Sequence, residues 1–366
     1  MWQNCRLMVA KGPGACHKAR SRGRYFRKIR IPVPVRIPQV SVVIPTYNRL
    51  GRLRHVISAL EQQEFPAEEY EIVVVSDGSS DGTEDYLNGL RPEKNVRCFS
   101  QANQGPAAAR NFGVDKAIGE YVVFIDDDVV AQPPLLAEHM RAHREAGREV
   151  VVFGPLLSPE DFDMAPWVRW EQEMLMKQYR ALLAGLWQPS ARQFYTGNAS
   201  LRRSHILAAG GFDESFRRAE DVELAYRLAK RGLDFVFNME AVGMHFAERS
   251  FRSWLETART YGRNDVIFAR DRDQKWLLSA LQSEFRQRHV LIQTLVCLCR
   301  GRPRLTSVAG RALMLAADAA TAVGAGAIEK HAYSALFNLQ YYSGLYDEME
   351  DAQYLFCRSG STQSVG

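Results

Sequence analysis

Several things are scarce in this 366-residue sequence, and each shortage excludes something. Its six cysteines, Cys5, Cys16, Cys98, Cys297, Cys299 and Cys357, are scattered. Cys297 and Cys299 stand too close for a zinc knuckle or a CxxC redox pair, so the thiols read as free in a reducing compartment, the cytoplasm. No uncharged apolar run reaches the ~18 residues a membrane-spanning helix needs. The charged N-terminal arm is not followed by the apolar core of about 7–15 residues that marks a secretory signal. Acid is missing from residues 1–39, which hold ten Lys or Arg. The net charge of +5 is therefore misleading, because the rest of the chain holds 37 basic against 42 acidic groups. The arm reads as a disordered leader that could touch an anionic surface. Neither GxGxxG nor GxxxxGK[ST] follows the first predicted strand, which argues against a nicotinamide enzyme or a P-loop ATPase.

The stretch that organises the chain is Tyr121-Val122-Val123-Phe124-Ile125 running into Asp126-Asp127-Asp128. The apolar run is too short for a buried helix and is β-branched and aromatic, so it predicts a strand buried on both faces. Ligands of open α/β sheets bind beyond the carboxyl ends of strands. Three adjacent Asp there repel one another unless a counter-charge joins them. A hard divalent cation, Mn²⁺ or Mg²⁺, shared with substrate phosphates would supply it. Upstream, residues 31–39 (IPVPVRIPQ) read as a stiff connector. Val40–Ile44 predicts a first strand ended by Pro45, and an amphipathic helix follows from Arg52 to Gln63. Glu71–Val75 predicts a second strand, leading into the turn Ser76–Thr83. Val96–Phe99 is a third strand, and Pro106 opens a helix. Strands alternating with helices imply βαβ units and a mostly parallel sheet.

Four blocks, VSVVIPTYNR, EIVVVSDGSSDGT, GPAAARNFG and YVVFIDDDV, resemble in order and spacing the inverting family-2 glycosyltransferases of GT-A fold. The resemblance spans about residues 40–135 and implies hexosyl transfer from a nucleotide-sugar, with UDP as the expected nucleotide. It places Pro45, Thr46 and Tyr47, with Asn48 beside them, at the base pocket. It places Asp77 on the base, Arg110 near the phosphates or base, Asp126 near the ribose and Asp128 on the metal, with Asp127 able to share either role. A second signature, GGFDESF followed by EDVELAYRLAKRG, makes Asp221 the general base and Glu220 its companion in the first turn of a helix. His245 is implied to complete the metal or diphosphate site, with Arg249 and Arg252 available to the diphosphate. The acceptor is implied to be a glycan or a lipid-linked glycan, with no nucleic acid involved. The reading competes with a sugar nucleotidyltransferase, which needs a Gly-rich, Lys-containing loop after the first strand. It also competes with a non-catalytic carbohydrate-binding protein.

The expected organisation is an arm and connector over 1–39 and a catalytic domain over 40–250, nucleotide-binding to 135 and acceptor-facing from 136. A helical region over 251–357 and a tail over 358–366 follow. Residues 158–195, with Trp167, Trp170, Tyr179 and Trp187, read as irregular, and His139 and His143 show no pairing. The C-terminal helices read as a cap on the catalytic domain, with peripheral contact at the inner face of a membrane as the alternative.

Overall fold

The computed structural model describes residues 37–90 and 95–349. The basic arm up to residue 36 and the tail over 358–366 lie outside the described residues. In chain order the elements are β1 (Val40–Thr46), α1 (Leu50–Leu60), β2 (Tyr70–Asp77), α2 (Thr83–Asn88), β3 (Val96–Gln101), α3 (Pro106–Lys116), β4 (Tyr121–Ile125), β5 (Val129–Ala131), α4 (Leu135–Ala146), β6 (Val150–Phe153) and β7 (Leu156–Leu157). Then come α5 (Pro166–Leu183), β8 (Asn198–Arg202), α6 (Arg203–Ala208), α7 (Glu220–Lys230), β9 (Asp234–Phe237), β10 (Gly243–His245), α8 (Phe251–Asp271), α9 (Trp276–Gln287), α10 (Val290–Cys299), α11 (Pro303–Ala322) and α12 (Gly326–Glu348).

Seven strands form one sheet in the order β3-β2-β1-β4-β8-β6-β9. β8 runs antiparallel to both of its neighbours, and the other pairs are parallel. Both faces are covered, as the unbroken apolar runs require. Val43, Val73, Val75, Val122 and Phe124 face α3, α6 and α7. Val42, Ile44, Ile72, Val74, Val123 and Ile125 face α1 and α4. Pro45 does not end β1; it lies opposite Val75. The ladder with β4 stops at Val43, so the missing Pro45 N–H falls where the two strands have already parted. A second sheet, β5-β10-β7, sits at the carboxyl edge of the first.

Residues 158–195 are not irregular: α5 occupies 18 of them, opened by Pro166 and burying Val168, Trp170, Tyr179 and Leu182. From α8 onward the chain is helical. Trp254 on α8 packs with Trp170 on α5, Tyr333 and Leu336 on α12, and Ala317 on α11. The described residues from 37 onward group as one unit, so the described helical region is continuous with the part that holds the sheets. Among the described residues no helix is long and apolar enough to cross a membrane.

Helices α8 and α12 approach closely because glycine faces backbone on each side. A Cβ at Gly262 would overlap the Tyr341 carbonyl, and one at Gly344 would overlap the Arg259 carbonyl. Gly262→Ala is therefore expected to destabilise by about 1–3 kcal/mol. Gly310→Ala, on α11 with nothing within 4 Å of the new methyl, should not. Denaturant midpoints of the two variants check this, and equal midpoints would refute it.

Candidate active site

Parallel strands bring the carboxyl ends of β1, β2 and β4 to one edge, so Thr46, Asp77 and Asp126 emerge together. After β4 the chain turns through the three acids, closed by Val129 N–H donating to the Asp126 carbonyl at 3.1 Å. It then enters β5, whose antiparallel partner β10 sets His245 opposite Val129. Phe246 N–H donates to the Asp128 carbonyl at 2.9 Å. This pairing carries His245 Nε2 to 3.6 Å from Asp128 Oδ1 across 117 residues of chain.

Each acid has its own partner. Asp126 Oδ1 accepts from Arg110 Nη2 at 2.7 Å. Asp127 Oδ2 accepts from the Thr46 hydroxyl at 2.8 Å and from Tyr47 N–H at 3.4 Å. Asp128 is ion-paired with Arg49, whose guanidinium also stands 3.8 Å from Asp127. Burial pushes Asp127 up to about 7, with Asp128 adding and Arg49 opposing. Burial also pushes Asp128 up, but the His245 hydrogen bond and charge, with Arg49, outweigh it and hold the carboxyl at about 2.

Arg110 is the strut of the site. It is 5% exposed and reaches from α3 to both sides. Nη1 donates to Glu220 Oε1 at 2.7 Å while Nη2 holds Asp126. Burial would lower its affinity for the proton, but Asp126 and Glu220 raise it further. The guanidinium thus faces two carboxylates rather than an open phosphate site.

Glu220 and Asp221 open α7 as expected, and Asp221 Oδ1 accepts from Val222 N–H at 2.8 Å. Ala219, just before them, sits at φ 60°, a left-handed conformation that costs a non-glycine residue roughly 1–2 kcal/mol. Asn264 Nδ2, on α8, donates to the Arg218 carbonyl at 2.8 Å and holds this bend. Burial first, then the neighbouring Glu220 charge, push Asp221 up to about 7, against Arg110. That is the range a general base needs.

Three expected residues sit in structural contacts. Asp77 Oδ1 accepts from Gln101 Nε2 at 2.8 Å and Gln104 N–H at 2.9 Å, and Oδ2 accepts from Gly105 N–H at 2.8 Å. This ties β2 to the start of α3 and leaves about one of the carboxylate's four acceptor positions. Asn48, at φ 52°, accepts from Ser80 N–H at 2.7 Å and donates its own N–H to Ser79 Oγ at 3.1 Å, joining two loops. Pro45 is in the ladder, and Tyr47 is half exposed at the edge. Of the two downstream arginines, Arg249 pairs with Glu171 at 3.0 Å beside the site. Arg252 points outward, 89% exposed, and pairs with Glu256.

Arg49 reads from the sequence as a loop or helix-cap residue; only the fold puts it on Asp128. Tyr261 on α8 and Glu171 on α5 also escape the sequence. Partial burial and the charge of Asp221 raise the hydroxyl of Tyr261, whose side chain is 39% exposed. Burial raises the Glu171 carboxyl, opposed by Arg249, His245 and Arg218. His139 and His143 are paired after all, one turn apart on α4, and the i, i+4 spacing was the available signal. Ser200 Oγ lies 2.8 Å from His139 Nδ1 and 2.8 Å from His143 Nε2. His139 Nε2 meets Asn198 Oδ1 at 2.9 Å, and Asn198 Nδ2 donates to the Pro155 and Ala241 carbonyls. Burial lowers His139 to about 4 and His143 to about 3. The native state therefore binds fewer protons than the unfolded chain below the usual histidine pKa of ~6.5, and stability falls with pH from there. A loss of about 3 kcal/mol between pH 6.5 and 5 is expected, roughly half from each histidine. The slope should flatten in His143→Gln, measured by urea unfolding; an unchanged slope would refute the assignment.

Asp128 and His245 could hold a metal. Their 3.6 Å separation is near the about 3 Å between adjacent ligands of an octahedral ion. The carboxylate suits Mg²⁺ or Mn²⁺, and the imidazole favours the transition ion. Among the described residues no three His, Cys, Asp or Glu side chains converge as a fuller ligand set. Two protein ligands match an ion shared with substrate phosphates.

A family model described as "Glycosyl transferase family 2" matches residues 41–208. Residues 41–208 belong to glycosyl transferase family 2. The chain is 31% identical over 239 residues to validoxylamine A glucosyltransferase of Streptomyces hygroscopicus subsp. jinggangensis, covering 57% of this chain and 55% of that protein. It thus spans about half the length of such curated relatives. It is 38% identical over 95 residues to the GalNAc(5)-diNAcBac-PP-undecaprenol beta-1,3-glucosyltransferase of Campylobacter jejuni, 25% of this chain and 30% of that one. Among solved structures it resembles a mannosyltransferase from Pyrobaculum calidifontis in complex with GDP-Man and Mn²⁺. The TM-score is 0.56 at 20% identity, over 87% of this chain and 89% of that one. The family 2 domain has the GT-A fold: a mostly parallel sheet between helices, followed by a helical region.

Proposed function

We propose that this chain is an inverting, metal-dependent glycosyltransferase that moves a sugar from a nucleoside-diphosphate sugar to a hydroxyl of a glycan or lipid-linked acceptor. The observation that carries it is the Arg110 bridge. It joins Asp126, at the end of the donor strand, to Glu220, beside the raised Asp221, so donor acids and base form one cluster. A decayed binding protein has no need to hold a half-buried carboxyl near neutrality beside a charge it repels. The relatives named above are glucosyltransferases by name, and the Pyrobaculum calidifontis mannosyltransferase is in complex with GDP-Man and Mn²⁺. The chain has Ile44-Pro45-Thr46-Tyr47 where a nucleotidyltransferase needs its Gly-rich, Lys-containing loop.

In this reading Asp221, ionised, takes the proton of the acceptor hydroxyl. The acceptor oxygen attacks the anomeric carbon from the face opposite the leaving group, and the bond to the β-phosphate oxygen breaks with its electron pair. Glu220, ion-paired with Arg110 and next to Asp221, lends the charge that helps hold the base near neutrality. Mn²⁺ or Mg²⁺ held by Asp128, His245 and the diphosphate would supply positive charge for the leaving group. Arg49, on Asp128 here, is placed to turn to the diphosphate oxygens, for which its fork geometry is suited. Tyr261 and the Glu171–Arg249 pair border the acceptor side. UDP is the proposed nucleotide, with Asp77 offering its remaining acceptor position to a base N–H.

The test is hydrolysis of a donor panel, UDP-, GDP- and dTDP-sugars with Mn²⁺, by the parent, Asp128→Ala and Asp221→Asn. A single preferred nucleotide, lost turnover in both variants and inverted anomeric configuration support the reading. Equal turnover in all three proteins would reject it.

A further inference from the structure

Helix α10 is apolar on two faces but packs against protein on one. Val296 and Cys299 turn inward, Val296 into a cluster with Tyr342 and Leu345. The exposed positions, Val290, Leu291, Thr294, Cys297 and Leu298, fall at helical spacing and include no charge. Leu291 is 71% exposed and Leu298 54%. A contiguous exposed apolar face of this kind marks an interaction surface. α11, joined to α10 through Arg300-Gly301-Arg302, continues the pattern: Leu305, Val308 and Leu315 are all exposed, Val308 61% and Leu315 66%.

Positive charge predominates along this stretch, with Asp318 the acid on α11. From residue 285 to 317 the chain holds six arginines and no acid. Arg302 bonds the Leu298 carbonyl and Arg311 the Ser307 hydroxyl, neutral groups that leave the positive charges standing. A symmetric contact with a second copy would set these arginines against their own equivalents. The N-terminal arm, basic and without acid, is repelled in the same way. An anionic bilayer supplies both complements, phosphates for the arginines and acyl depth for the leucines.

We propose that the exposed faces of α10 and α11 dock onto an anionic phospholipid surface. The docking stands on this surface alone. Its use, to bring the active site to an acceptor held in the bilayer, rests on the transferase reading above. The test is sedimentation of the full chain with phosphatidylcholine vesicles, with and without about one-third phosphatidylglycerol. Binding should require the anionic lipid and fall about 30-fold in Arg304→Glu/Arg311→Glu. It should also be lost in Leu291→Glu/Leu298→Glu. Circular dichroism and donor hydrolysis in solution should be unchanged in both variants, which separates failure of docking from failure of the catalytic reading. Equal binding to both vesicle types, no binding, or binding unaltered in the variants would overturn the proposal; the last would assign it to the basic arm. A concentration-dependent dimer abolished by Leu291→Glu would give the face to a second copy and overturn it equally.

Discussion

Asp221→Asn should lower kcat by about 10²–10⁴-fold, the range lost when a general base is removed. The Asn carbonyl can still accept from Val222 N–H, so the start of α7 and the affinity for a nucleoside diphosphate should persist. The pH profile adds a sharper test. With Asp221 near 7, kcat/KM of the parent should rise with pH through that value and then level, because the ionised form is the active one. Glu220 is among the causes of the elevation, so Glu220→Gln should move the rising limb to lower pH. In Asp221→Asn the limb should vanish. A parent profile flat from pH 5.5 to 8.5, or a limb that survives in Asp221→Asn, would remove Asp221 from the mechanism.

Arg110→Met should be costly in a different way. It leaves Glu220 buried, and Asp126 half-buried, without the guanidinium that each meets at 2.7 Å. Breaking a buried ion pair from one side typically costs about 3–5 kcal/mol, because the stranded charge stays in a poor solvent. Denaturant unfolding reads this, and the deficit should shrink at mildly acidic pH, where a stranded carboxyl can take up a proton. Arg110→Lys keeps the charge but cannot span both acids, and should fall between. If instead Arg110→Met kept parental stability and lost only nucleotide affinity, the residue would be a phosphate ligand rather than a strut.

Much of this architecture is legible in short stretches of chain. The run from Tyr121 to Asp128 contains its own strand, its two-faced burial and its acidic terminus. The stripe on α7 predicts a helix that opens at Glu220 and Asp221. Elsewhere local pattern misleads. Pro45 looks like a strand end, yet sits in the ladder because β4 has already left β1. Residues 166–183 look irregular because aromatic and charged residues interrupt the stripe, yet they form α5, whose Trp170 is held by Trp254 from a helix far along the chain. His139 and His143 read as unrelated until Ser200, on β8, comes between them.

The division follows from the range of the forces involved. Periodicity, turn chemistry and the crowding of like charges act over a few residues, so strands, helices and the need for a counter-charge at Asp126–Asp128 are written in the chain. Which cation answers each acid depends on pairings formed across tens of residues. Arg110 meets Asp126 and Glu220 because α3 and α7 cover the same face of the sheet. His245 meets Asp128 because β10 pairs with β5. Asp221 acquires its raised pKa only once folding has partly buried it beside Glu220. Burial and long-range proximity belong to the folded whole, and no window of sequence contains them.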